Sequence, residues 1–502
     1  MRTLKPTAKR LFQRVLLIFL LSCILLACAK PKEESIRFGL SNMPVKLDPR
    51  FATDAASYRV SRLLYRSLVD FDESKKVIPS IADWEQVSAK HFRFTLKSNL
   101  SEFHHGLPLT SADVKSTYES VLNKDNASPH RTSLTLIETI ATPDENTIDF
   151  TLNRADPLFP SYLVIGILPK KLIAAKHDFS RNPIGSGAYQ FIDWPEDGIL
   201  NIQRRKDKQL VKFIHVPNPT VRVLKLMRGE IDMLQNDLPP ELINFLGEKP
   251  DIKIQKQKGT NFAYLGFNLE DKTSGDIEIR KAIAHGIDRA EIIQYVFAQS
   301  ARKANALLPP DHWAGNNSLV EYEYNPEKAQ QILRNAGYEK DSITLIYKTS
   351  NDPFRIRVAT ILQAQLAKIG IQVEIMSFDW GTFYGDIKKG RFQLYSLAWI
   401  GIKTPDIFRY AFHSAAIPPN GANRGRFNDS EVDKLIELAE KQTSYEEQAN
   451  YYRQLQAELL AKLPYVPLWY EDHFFISYNN ITNYTLPADG NYDGLLTVKK
   501  SL

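Results

Sequence analysis

Trp380 and Trp399 each follow a strand-like run, Ile371-Gln-Val-Glu-Ile375 and Phe392-Gln-Leu-Tyr-Ser-Leu397. The carboxyl ends of parallel strands are the edge at which α/β folds take their ligands. Indole faces at such an edge stack on a ligand or enclose it, and they break no bond. One tryptophan alone belongs to the core by its size, whereas two at neighbouring strand ends mark a binding wall.

Bond-making chemistry has no comparable pattern. The sequence lacks a Gly-x-Ser-x-Gly elbow, a His-Glu-x-x-His pair and a Gly-x-x-x-x-Gly-Lys phosphate loop. Gly185-Ser-Gly187 precedes a strand instead of a helix, so a tight turn is expected there and not a phosphate cradle. His104 and His105 are adjacent, which points their side chains apart on a strand or a helix, and no four-ligand spacing accompanies them. No catalytic residue, no metal and no cofactor is expected, and the chain is read as a binder and not an enzyme.

The elements that must hold the tryptophans are legible. Ser342 to Tyr347 reads as a strand, and Asp352-Pro353 opens a helix with a capping residue and proline at the first helical position. Phe354, Val358, Ile361, Leu362, Leu366 and Ile369 follow at helical spacing, Gly370 sits at the C-cap, and the alternating strand from Ile371 completes a βαβ unit. Asn325-Pro326 starts a second helix that stops at Gly337. Thr110 with Asp113, and Asp288 with Glu291, have capping-box spacing. Further strands are expected at Ile36–Leu40, Phe92–Leu96, Thr147–Leu152 and Tyr189–Trp194. The fold class is α/β in several lobes, without internal repeats.

Residues 1–28 set the compartment. Arg2, Lys5, Lys9, Arg10 and Arg14 precede the apolar run Val15 to Ala27, and Leu25-Leu26-Ala27-Cys28 follows the pattern of a secretory signal whose end resembles the bacterial lipobox. The resemblance implies a signal peptide over 1–27, acylation of Cys28, and a body tethered through 28–34. With 64 Lys+Arg against 58 Asp+Glu the chain carries +6, and losing the five basic residues of the signal leaves +1. That balance gives no reason to expect nucleic acid. Cys23 leaves with the signal and Cys28 is the lipid site, so no disulfide is available and stability must come from packing. About 475 remaining residues exceed what one core supports, so two or more lobes are expected.

Several motifs together resemble one family. They are Phe103-His-His-Gly-Leu-Pro-Leu-Thr-Ser-Ala-Asp113-Val114, Pro183-Ile-Gly-Ser-Gly-Ala-Tyr189, Leu224-Lys-Leu-Met-Arg-Gly-Glu-Ile-Asp232, Gly266-Phe-Asn268 leading into Ile279 to Arg289, Tyr324 to Ala329 with Ala336-Gly-Tyr338, and Leu463-Pro-Tyr-Val-Pro-Leu468. In this order they are similar to the family 5 extracellular solute-binding proteins, the peptide- and nickel-binding receptors of ABC importers. The resemblance implies a periplasmic-binding-protein-like flytrap of three domains: domain I from 35–69, 182–264 and 480–502, domain II from 70–181, and domain III from 265–479. It further implies a monomer outside the cytoplasm, lipid-anchored to a bacterial membrane, that closes on a small solute or peptide and presents it to permease subunits.

The resemblance places Tyr264, Trp380, Trp399, Ile400, Gly401, Lys403 and Asp406 at the ligand. It also exposes a departure. Peptide-binding relatives carry, three residues after the tryptophan of the Trp399 motif, an aspartate that holds the peptide amine; here that position is Ile402, followed by Lys403. Either Asp406 takes the amine, or the ligand has no free amine and Lys403 favours an anionic group; Ile402 itself could simply pack. The alternatives in function are a non-peptide solute (nickel chelate, haem, opine or sugar), a lipoprotein chaperone or sensor, and a cell-wall hydrolase.

Overall fold

In the computed structural model the described residues are 35–501, apart from 73–74, 99–101, 196–197 and 443. The signal, the tether and Cys28 lie outside them. No helix among the described residues is long and apolar enough to cross a membrane.

The expected βαβ unit is present. Strand Ile343–Ser350 pairs in parallel with Ile371–Phe378 across helix Pro353–Lys368. The Asp352 side chain accepts from the Arg355 N–H at the helix start, and Gly370 turns the chain at φ 86° beyond its end. Leu362 and Leu366 are buried in this unit's core, each contributing roughly 1.5–3 kcal/mol. Thr110 and Asp113 form a complete capping box at helix Ser111–Leu122, and Asn325 and Asp288 cap theirs.

One mixed sheet of eleven strands runs through most of the molecule. Its first half holds Ile36–Leu40, Tyr189–Asp193, Ile199–Arg204, Leu210–His215 and Met233–Gln235; its second holds Ile343–Ser350, Ile371–Phe378 and Leu394–Trp399; the short Ala301–Lys303 pairs with Tyr465–Tyr478 off the main path. Two long strands, Ile252–Phe267 and Tyr465–Tyr478, belong to both halves. Their pairing slips register between Gln257 and Asn261, where Gly259 comes so close to the Glu471 carbonyl that a Cβ would sit 2.1 Å from it. That slip marks the seam between the halves. The boundary expected between residues 264 and 265 falls inside the first long strand, just past the seam.

A separate four-stranded antiparallel sheet, in the order Ala82–Ser88, His91–Leu96, Thr147–Leu152, Ile137–Ala141, has its own apolar core drawn from residues 68–167. His91–Leu96 and Thr147–Leu152 alternate between core and surface, the period of a sheet covered on one face. The molecule therefore has three packed bodies, the two halves of the large sheet and this smaller one.

Candidate ligand-binding site

Strand Leu394–Trp399 is parallel to Ile343–Ser350, so all three strands of the second half point the same way. Trp399 is the last residue of its strand, and Trp380 opens helix Trp380–Lys389 directly beyond Ile371–Phe378. Both lie at one carboxyl edge, as the sequence predicts. Their surroundings differ. Trp380 is 46% exposed and stacks on Tyr384, with ring centroids 5.4 Å apart and 8° between planes. Trp399 is 8% exposed, held between the ring of Tyr264 at 6.4 Å and the guanidinium of Arg424 at 4.7 Å.

Tyr264 corrects an expectation. It is fully buried, stacked 3.9 Å from Tyr465, because its strand pairs on both sides with other strands of the sheet. It supports the wall from behind and offers no face to a ligand. Ile400 is exposed, and Gly401 turns the chain at φ 68°, a conformation that costs glycine least. Ile402 packs against the aromatic core, which is the plain reason for an apolar residue there.

Lys403 is neither free nor on the rim. It is 7% exposed, with Nζ 3.0 Å from Asp489 Oδ2, 3.8 Å from Asp70 Oδ1 and 5.1 Å from the centre of the Phe71 ring. Asp489 precedes Tyr492 of the first half's core, and Asp70 lies on strand Val69–Phe71 beside the small body, so the ammonium sits where three bodies meet. Burial pushes the Asp489 carboxyl up, but the Lys403 charge and the Asn491 N–H outweigh it and hold the group at about 2. Burial likewise opposes the Lys403 charge, and Tyr58, Asp489 and Asp70 overcome it, raising the amine above its usual value. Of the two alternatives, the one in which Lys403 favours an anionic ligand group finds its ammonium already paired within the chain.

Asp406 begins helix Ile407–Phe412 and accepts from the Thr404 hydroxyl. It has no cationic partner among the described residues. Burial, with Glu440 nearby, pushes it up to about 6. Asp156 of the small body is pushed up to about 7 by burial against the same region. Between them Arg154 reaches Glu440 at 3.0 Å, and Glu440 is gripped through both oxygens by Arg409. Asp406 thus belongs to an acidic seam between the small body and the second half.

The remaining motifs are structural. His104 accepts from the Gly185 N–H and lies 3.3 Å from the Gly187 carbonyl, and burial depresses it to about 4, so it is neutral. A Cβ on Gly187 would stand 2.3 Å from the Leu63 carbonyl, which explains glycine there. No cluster of three metal-ligating side chains occurs among the described residues.

Sequence reasoning missed Arg424 and Asp489. Neither stands in a recognisable spacing, and each gains its place from a distant strand or loop.

The chain belongs to the bacterial extracellular solute-binding proteins, family 5: the model for the family's middle region matches residues 76–418. It is 25% identical over 478 residues to the dipeptide-binding protein of Escherichia coli K12, covering 87% of this chain and 89% of that one. It is 28% identical over 470 residues to heme-binding protein A of Haemophilus influenzae, covering 85% of each. The fold matches NikZ from Campylobacter jejuni, solved with Ni(L-His), with a TM-score of 0.85 at 24% identity, over 94% of this chain and 100% of that one. DppA from Helicobacter pylori, solved with the peptide STSA, matches with a TM-score of 0.85 at 24% identity over 93% and 98%.

Proposed function

We propose that the chain is the receptor of an ABC importer, taking a peptide-class solute between the halves of its large sheet and delivering it to permease subunits. The observation that carries this reading is that, among the described residues, two strands, Ile252–Phe267 and Tyr465–Tyr478, are shared by both halves, while Lys403, four residues beyond Trp399, meets Asp489 of the first half. A seam of two strands with a register slip bends more easily than a packed core, and closure about it encloses the solute. Ligand binding is then coupled to the closed form that a permease recognises. The relatives named for dipeptides and di/tripeptides support a peptide. The presence of three packed bodies supports a division into domains I, II and III.

Calorimetry with di- to pentapeptides, free and N-acetylated, tests the reading. Saturable binding with a change in tryptophan fluorescence is the expected result, and no heat from any member would overturn it. The lipobox pattern supports anchoring through Cys28, for which Cys28→Ser, giving an unprocessed or released protein, is the check.

A further inference from the structure

Four exposed large apolar side chains gather on two helices of the first half. Val221, Leu224 and Met227 recur at every third position of helix Pro219–Met227, and Phe245 stands on helix Pro240–Gly247. The opposite faces of these helices, through Val223, Leu226 and Leu246, already fill a core against Ile231, Leu234 and Ile476. The outer face therefore has no folding role, and apolar surface left in water marks a contact. Cations frame it. Arg228 is exposed just past the first helix, and Lys249 past the second holds its Nζ 4.2 Å from the centre of the Phe245 ring.

The strand ends beside these helices carry an excess of positive charge. Arg37 and Lys500 both meet Asp232, at 2.7 and 3.1 Å, and Lys225 and Arg228 both meet Glu230, at 2.5 and 3.9 Å, so twice two cations share one carboxylate. Lys253 and Lys499 are exposed with no carboxylate within ion-pair distance among the described residues, and Glu248 and Asp251 are the exposed acids next to this group. The chain also leaves for Cys28 from here: the Lys500 ammonium donates to the Ser35 carbonyl at 3.0 Å. Strand Ile36–Leu40 is parallel to Leu210–His215 and Met233–Gln235, so this is their amino end. Their carboxyl end is the one at the solute cleft, where Gln235 donates to the Gly490 carbonyl beside Asp489. Cys28 and Ser35 are seven positions apart. A stretch of that length spans at most about 25 Å.

We propose that this end of the first half is a lipid-facing surface, whose apolar helix faces enter the headgroup region of an anionic leaflet while the surrounding lysines and arginines meet its phosphates. Interfacial binding of this kind grows with the apolar area buried and with attraction to anionic lipid, and a lipid chain joined to a basic patch holds where a single chain does not. The short tether keeps the surface within reach of the bilayer, which argues for lipid as the occupant. The solute cleft then points away from the membrane, open to solution. The proposal rests on the anchoring through Cys28 given above and goes beyond it by fixing the orientation of the anchored body.

The chain from residue 28 onward has Cys28 as its one thiol, so coupling it to a maleimide-headgroup lipid reproduces the tether whether or not a cell acylates it. A failure of natural acylation is thereby kept separate from a failure of the proposal. Amide hydrogen exchange is compared on vesicles of phosphatidylcholine alone and of an equal mixture with phosphatidylglycerol. Amides of residues 219–249 should exchange several-fold more slowly on the mixed vesicles, those around Trp380 should be unchanged, and added salt should weaken the protection. The double substitutions Leu224→Ser with Met227→Ser, and Arg228→Glu with Lys249→Glu, lie on exposed positions and should each remove most of the protection while thermal unfolding stays close to that of the native chain. Equal exchange over 219–249 on the two kinds of vesicle overturns the proposal. Protection that arises without lipid as the chain is concentrated overturns it too, and assigns the face to a second copy.

Discussion

Lys403 Nζ lies 3.0 Å from Asp489 Oδ2, and this pair joins the two halves of the large sheet at the point where Asp70 brings in the third body. The contact has the character of a latch. Breaking one side leaves a buried charge unmatched, so Lys403→Met or Asp489→Asn should each destabilise the closed arrangement by about 3–5 kcal/mol. Small-angle scattering of the ligand-free variants should show a larger radius of gyration than the native chain. An unchanged radius in both would mean that the pair does not hold the halves together.

Acid should loosen the latch only at low pH. Asp489 is depressed to about 2, so its contribution is fully present above the ordinary carboxylate value near 3.8 and is lost as pH falls from there through about 2. Scattering or intrinsic fluorescence followed from pH 6 downward should stay level to about pH 4.

The acidic seam should respond in the opposite sense. Asp156 and Asp406 are raised to about 7 and about 6, so the folded form holds their protons more tightly than the unfolded chain does. Their ionisation costs nothing below the ordinary value near 3.8 and is fully felt above about 7, so stability should fall as pH rises between them. Asp156→Asn should flatten that slope in urea titrations; a slope unaffected by the substitution would locate the raised pKa elsewhere.

Trp380 and Trp399 should separate in their effects. Trp399→Ala removes a mostly buried ring and should cost about 3–5 kcal/mol of stability. Trp380→Ala removes an exposed ring, so the fold should be nearly unaffected while solute affinity falls by roughly 1–3 kcal/mol. Thermal unfolding and calorimetry on the same two preparations distinguish these outcomes.

Gly187→Ala should be strongly destabilising, because the added Cβ meets the Leu63 carbonyl at 2.3 Å, closer than any real contact. A stable Gly187→Ala protein would show that the backbone there can move aside.

Local order was already written in the sequence. Asp352-Pro353 and Gly370 bound a helix, alternation from Ile371 makes a strand, and short connections make the pair parallel, since these rules act within a few residues. The strand-end position of Trp380 and Trp399 followed from the same rules, and the motif order revealed the family. Tertiary structure alone decided the charges. Lys403 and Asp489 are 86 positions apart and Arg424 stands 160 positions from Tyr264, so nothing local shows that one cation is neutralised within the chain and another is left among aromatic rings. Tyr264 carries the same lesson, being a strand residue whose burial is set by the strands on either side of it. Whether a side chain meets solvent, a counter-charge or a ring depends on what distant segments place against it, because burial and Coulomb attraction act through space and not along the chain.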